Sequence, residues 1–188
     1  MFPFRTARGV FVWGTTASRL GRLLLSVRAQ ASVPETLPVT RNEVLVSETF
    51  SSAEGGELFL EEYAFRAVKH AELSATLLAV ANAVFGEQDS FFRERLLNGT
   101  ALLADESFSQ LLEISTEVAE AFPVDAATKR SHGRVDTIEC LPAETVLTAE
   151  VSESAELEPL RPYAVQLGAR QRVGHGICRM TMFGEVTQ

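Results

Sequence analysis

Three histidines, His70, His132 and His175, and two cysteines, Cys140 and Cys178, are all the imidazole and thiol groups in this chain of 188 residues. A bound metal needs three or four donors at fixed spacing, and the sequence offers no His-x-His pair, no Asp-Asp pair and too few cysteines for a four-thiolate site. Cys140 and Cys178 are read as two packed, reduced thiols. Neither phosphate-binding glycine pattern, Gly-x-x-x-x-Gly-Lys-Ser/Thr or Gly-x-Gly-x-x-Gly, is present. Glu61-Glu62 and Glu113, Glu117 and Glu120 could be paired as acid and base, but at helical spacing such carboxylates read as a solvated face. No serine or cysteine has the setting of an activated nucleophile. The expectation is a non-catalytic protein with no catalytic, cofactor or metal residues.

The elements that would position these groups begin with an unusual first segment. Residues 1–34 hold Arg5, Arg8, Arg19, Arg22 and Arg28 and no acidic residue. Hydroxyl residues and an apolar stripe from Val10 to Leu25 accompany them. A basic, acid-free, hydroxyl-rich and amphipathic start is the composition of a mitochondrial transit peptide, so residues 1–30 are expected to be removed in the mitochondrial matrix. The remaining 12 basic and 25 acidic residues would carry a net charge of −13. A body that acidic has no footprint for a phosphate backbone, so nucleic acid is not expected as a partner. No run of about 18 apolar residues is present, and no membrane span is expected.

Residues 31–56 read as an irregular arm, with one short strand at Val44–Val46. From Glu57 the apolar spacing becomes helical, running to Gly86 with a bend near His70–Ser74. Asp89 or Ser90 can cap a short helix that stops at Asn98-Gly99. A further helix starts near Ser107, and its face of Phe108, Leu111, Leu112, Ser115, Val118, Ala119 and Phe122 ends at Pro123. Residues 57–122 are thus expected to form a helical bundle. Alternation around 135–141, and again at 163–167 and 177–183, predicts strands in a small α+β unit over 133–188. The segment 143–160 is compatible with strand or helix. The fold class expected is α+β, an N-terminal helical bundle followed by a small strand-rich C-terminal domain.

Two resemblances bear on function. Arg172-Val173-Gly174-His175-Gly176 resembles the Arg-Ile/Val-Gly-His-Gly segment of adenosine deaminases. The other histidine and aspartate motifs of that family are missing, which leaves a glycine-flanked hairpin turn. Leu111-Leu112-Glu113-Ile114, Glu117-Val118-Ala119-Glu120-Ala121-Phe122 and Gly133-Arg134-Val135-Asp136-Thr137 resemble the central stretch of the oligomycin-sensitivity-conferring protein, the mitochondrial counterpart of the F-type ATP synthase delta subunit. Leu96-Leu97-Asn98-Gly99 is similar to a turn of that family. The chain departs from it in lacking the Gly-Gly-containing strand and the final helix.

That resemblance implies a matrix subunit of ATP synthase, involved in proton transport, that links the catalytic hexamer to the peripheral stalk. Its partners would be protein subunits of a large mitochondrial assembly beside the inner membrane. Phe59, Tyr63, Phe91 and Phe92 are the residues expected to face a partner. Two alternatives stand beside it: an accessory subunit or assembly factor of a respiratory complex or mitoribosome, and a small matrix enzyme with a pocket around His175.

Overall fold

The first strands come from the first residues. Phe2–Arg5 (β1) and Phe11–Thr16 (β2) pair antiparallel, from Phe2 opposite Gly14 to Arg5 opposite Phe11. Gly9, at φ 74°, supplies the left-handed residue of their turn. The structure, a computed structural model, describes residues 1–27, 40–85, 89–121, 128, 135–149, 164–168 and 175–180. Helix α1 (Ala17–Ser26) follows β2 and buries Leu20, Leu23 and Leu24. Next come β3 (Glu43–Val46), β4 (Glu57–Leu60), β5 (Tyr63–Lys69) and α2 (Ala71–Val84). Then follow α3 (Ser90–Asn98), β6 (Thr100–Leu103) and α4 (Asp105–Ser115).

Six strands form one mixed sheet in the order β1-β2-β6-β3-β5-β4. Read inward from either edge, it repeats the same parts. A hairpin (β1–β2 or β4–β5) leads into a helix (α1 or α2), and the chain then crosses to the centre to lay down β3 or β6. Each centre strand lies parallel to the inner strand of a hairpin, β6 to β2 and β3 to β5, and the two centre strands are antiparallel. The edges curl towards one another. The Arg5 N–H donates to Glu61 Oε1 at 2.6 Å, and the Glu61 N–H donates to the Arg5 carbonyl at 2.7 Å.

Each face of the sheet has its own core. On one, Phe2, Phe4, Val12, Val44, Leu58, Leu60, Phe65 and Leu103 meet Phe108 and Leu111 of α4. On the other, Trp13, Leu45 and Leu102 meet α1, α2 and Leu96 of α3. The segment 142–146 closes over this second core: Trp13 Nε1 donates to the Glu144 carbonyl at 3.0 Å, and the Val146 N–H donates to the Met1 carbonyl at 3.0 Å. Beyond the main sheet, β7 (Glu117–Ala121) pairs antiparallel with β8 (Asp136–Cys140), and β9 (Ala164–Gln166) with β10 (Ile177–Arg179), each pair a separate two-stranded sheet.

The class is α+β, with a curled mixed sheet and four helices among the described residues. An N-terminal helical bundle is not present, because strands come first. Of the removable presequence expected over residues 1–30, residues 1–27 hold β1, β2 and α1, and most of their apolar residues are core. The helix expected from 57 is β4 and β5. Glu61, at φ 52°, turns the chain between them, and regular helix begins at Ala71, where His70 Nδ1 accepts from the Leu73 N–H at 3.4 Å. The helix expected to reach Phe122 stops at Ser115. Glu117–Ala121 is strand, held by pairing with β8 from Glu117 opposite Cys140 to Ala121 opposite Asp136. The short strand at Val44–Val46 and the helix that ends before Gly99 are found as expected. The expected helix ends at Gly86 and Pro123, the part of 143–160 beyond residue 149 and residues 172–174 of the glycine-flanked turn lie outside the described residues.

Candidate nucleic-acid interface

Charge is unevenly divided between the two hairpin–helix units. Residues 1–27 carry Arg5, Arg8, Arg19 and Arg22 and no acidic residue, whereas residues 57–84 carry Glu57, Glu61, Glu62 and Glu72 against Arg66 and Lys69. The first unit is therefore a basic part of a chain whose net charge is −8. Arg5 stands at the end of β1 with its guanidinium 5.8 Å from the centroid of the Phe11 ring, which is partly exposed. Arg8, in the hairpin turn, pairs with Glu54. Arg19, on the first turn of α1, lies 4.6 Å over the Phe108 ring, and Arg22 is exposed one turn on. Among the described residues Arg5, Arg19 and Arg22 make no ion pair. Charges held at both ends of β2, with an aromatic ring beside one of them, can follow a phosphate backbone and stack a base.

A second aromatic and arginine cluster joins α2, α3 and β10. Phe85 stacks on Phe92 at 6.2 Å, and Phe91 meets Phe92 edge-on at 5.3 Å. Arg179 lies 5.2 Å over the Phe92 ring while its guanidinium meets Asp89 Oδ1 at 2.5 Å. Arg93 donates to Asn82, and Arg95 pairs with Glu144 while lying 5.3 Å over Trp13. Phe91 itself is 63% exposed.

Of the four residues expected to face a partner, Phe91 and Phe92 thus come together. Phe59 and Tyr63 do not join them. They lie on β4 and β5, where Phe59 pairs with Ala64 and Leu60 with Tyr63, so their side chains project from opposite faces of the sheet. Tyr63 lines a cleft of about 200 Å³ with Arg41, Asn42, Phe65, Ser107 and Gln110.

The groups considered for catalysis are dispersed. His175, at the start of the β10 side of its hairpin, has Nδ1 3.9 Å from Cys140 Sγ, and its carbonyl accepts from Gln166 Nε2 at 2.8 Å. Cys178 Sγ lies 3.3 Å from the Gly176 carbonyl, and both cysteines are free thiols. His70 caps α2, and His132 is outside the described residues. No cluster of three or more His, Cys, Asp or Glu suited to a metal occurs among the described residues. Among them, too, no helix is long and apolar enough to cross a membrane.

No family model matches this chain. Among curated proteins it is similar to the CRISPR system Cmr endoribonuclease Cmr4 of Pyrococcus furiosus, 23% identical over 202 residues. That alignment takes in 96% of this chain and 65% of the relative, so the chain spans a little under two thirds of the protein it matches. Among solved structures it shares its fold with oligomeric Cmr4 from Pyrococcus furiosus, at a TM-score of 0.65 and 21% identity over 95% of this chain and 67% of the other. A chain of the type III-B Cmr-beta complex bound to cognate target RNA is similar at a TM-score of 0.57 and 16% identity, over 95% of this chain and 65% of that one.

These likenesses overturn the functional expectations. The ATP synthase resemblance fails, since the described part of its central stretch is α4, β7 and β8 and the likeness to the Cmr4 fold covers 95% of the chain. The stalk subunit, the respiratory or ribosomal accessory subunit and the matrix enzyme are set aside with it, as is proton transport. Matrix localisation rested on a presequence that is core, and the relatives are prokaryotic. The exclusions of catalysis and of nucleic acid are also withdrawn, because the curated relative is an endoribonuclease and one similar chain belongs to a complex holding RNA. The exclusion of nucleic acid rested on the charge of −13 left once residues 1–30 are removed, and that removal takes with it the arginines of the first hairpin and α1.

Proposed function

We propose that this chain is an RNA-binding subunit of a Cmr-type CRISPR effector complex, and that it shares in the RNA cleavage for which its curated relative is named. The observation that carries this reading is likeness to Cmr4 along nearly the whole chain, in sequence and in fold together. The segregated charge supports it independently. Arg5, Arg19 and Arg22, without ion pairs among the described residues, give an acidic protein cationic groups at both ends of β2 that a phosphate backbone can approach, and exposed Phe11 and Phe91 offer rings for unpaired bases. RNA is more suited than duplex DNA to such a surface, since single-stranded bases are free to stack.

Fluorescence polarisation with a labelled single-stranded RNA tests the binding. The expected result is an affinity that falls as salt rises, with a slope of roughly −0.7 per neutralised phosphate. Denaturing gels of the same mixtures, with and without the other subunits of a Cmr complex, test the cleavage. A protein that stays free of RNA at low salt, alone and in the reconstituted complex, would sink the reading.

A further inference from the structure

We propose that the cleft between the start of β5 and α4 seats one unpaired base of a single-stranded RNA, stacked on Tyr63 with a neighbouring phosphate on Arg41; this rests on the RNA-binding reading above. The cleft of about 200 Å³ is lined by Arg41, Asn42, Tyr63, Ser107 and Gln110 over a floor of Phe65 and Leu111. Tyr63 is 46% exposed although it stands on the face that is otherwise core, so part of its ring is open where the sheet meets α4. A tyrosine, a guanidinium and two primary amides are a chemically coherent set. The ring stacks on any base, the amides can both donate to and accept from a base edge, and the guanidinium meets a phosphate.

The backbone under these groups is fixed while their polar ends are available. Ser107 Oγ donates to the Arg41 carbonyl at 2.9 Å, and the Arg66 N–H donates to the Asn42 carbonyl at 3.0 Å. Among the described residues, the side chains of Asn42, Gln110 and Tyr63 make no hydrogen bond, and Arg41 has one loose ion pair, 3.5 Å to Glu106, in which both side chains are more than half exposed. Such a pair contributes little and exchanges readily for a phosphate. The cleft also adjoins the basic edge. Glu61, which exchanges hydrogen bonds with the Arg5 backbone, lies two residues before Tyr63.

Ultraviolet cross-linking of a uridine-rich single-stranded RNA to the full chain, read by mass spectrometry of the peptides, tests the placement. Polarisation on variants tests the chemistry. Cross-links on the peptide holding Tyr63 are expected, with affinity reduced about 5-fold to 150-fold in Tyr63→Ala, the range for one base–aromatic stack. Tyr63→Phe keeps the ring and is expected to lose much less affinity than Tyr63→Ala, whereas Phe59→Ala, on the opposite face, is expected to bind as the wild type does. Asn42→Ala with Gln110→Ala is expected to change the preference among homopolymer RNAs while leaving the salt slope in place. Thermal melting of each variant separates impaired binding from impaired folding. Wild-type protein that binds RNA, with Tyr63→Ala and Gln110→Ala binding equally well and cross-links lying elsewhere, overturns the cleft alone. Wild-type protein that binds no RNA overturns the RNA-binding reading, and the cleft with it.

Discussion

The two hairpin–helix units, β1–β2–α1 and β4–β5–α2, have one topology and two characters. In the first, β2 is buried from Val12 to Thr16, covered on one face by α1 and on the other by Phe108 and its neighbours. In the second, only alternate residues of β4 are buried, and Phe59, Tyr63 and Ala64 are open. The first is basic and free of acidic residues; the second has twice as many acidic as basic ones. Topology therefore fixes where each unit lies in the sheet, while side-chain chemistry fixes what it can meet. Both feed the two cores, and the first adds a cationic rim. The other supplies an open edge that can take a ligand from the side.

The largest effect should come from the core of the first unit. Phe4 is fully buried, packs edge-on against Phe108 at 5.7 Å and lies over Gly14. Phe4→Ala is expected to lower stability by about 3–5 kcal/mol, while Phe59→Ala, 40% exposed on the second unit, should cost under about 1 kcal/mol. Urea denaturation of the two variants measures the contrast. Equal losses would mean that the two units are not packed so differently. Gly14→Ala belongs to the same contrast. A Cβ there would overlap the Phe4 ring and approach Leu103 Cδ1 to 3.0 Å, so a loss of about 1–3 kcal/mol is expected from overpacking, read from the same denaturation curves.

These packing relations explain what could be read from the sequence. Helix α3 was legible because its signals are local: Asp89 before it, Asn98-Gly99 after it and an apolar pair between. The strands β4 and β5 were not. Leu58, Phe59, Leu60, Tyr63, Phe65 and Val68 satisfy helical spacing as well as alternation, and the turn that separates the strands is made by a glutamate at positive φ rather than by glycine or proline. Strand β7 is built of Glu117, Val118, Ala119, Glu120 and Ala121, good helix formers on the whole, and takes its shape from a partner strand about twenty residues away. Of the candidate surface, the arginines were visible at once. Their composition suits an import signal and a phosphate-facing rim equally well, and the difference lies in burial of the apolar residues between them. The union of Tyr63 with Arg41 and Gln110 depends on three separated segments and had no local signal.

Charge reversal offers a sharper division at smaller energy. Arg19→Glu with Arg22→Glu, both on α1, should weaken RNA binding about tenfold or more and flatten the salt slope by about 0.7 for each phosphate no longer neutralised. Arg66→Glu with Lys69→Glu on the second unit should leave the slope unchanged. Polarisation titrations at several salt concentrations distinguish the two outcomes. A slope that falls equally for both pairs would remove the basic unit from the interface.

The smallest effect is expected where β5 of the acidic unit pairs with β3. Arg66 stands in register between Glu43 of β3 and Glu57 of β4, and it pairs with Glu43. Its side chain is 71% exposed, so the attraction acts largely through water. Arg66→Ala should therefore cost only about 0.2–1 kcal/mol. What it leaves is two carboxylates flanking an alanine on one face, a repulsion that salt screens. The melting point of the variant should accordingly approach that of the wild type as sodium chloride is raised to about 1 M, where the screening length is about 3 Å. A deficit that persists at high salt would mean that Arg66 stabilises the edge through packing of its aliphatic stem rather than through charge.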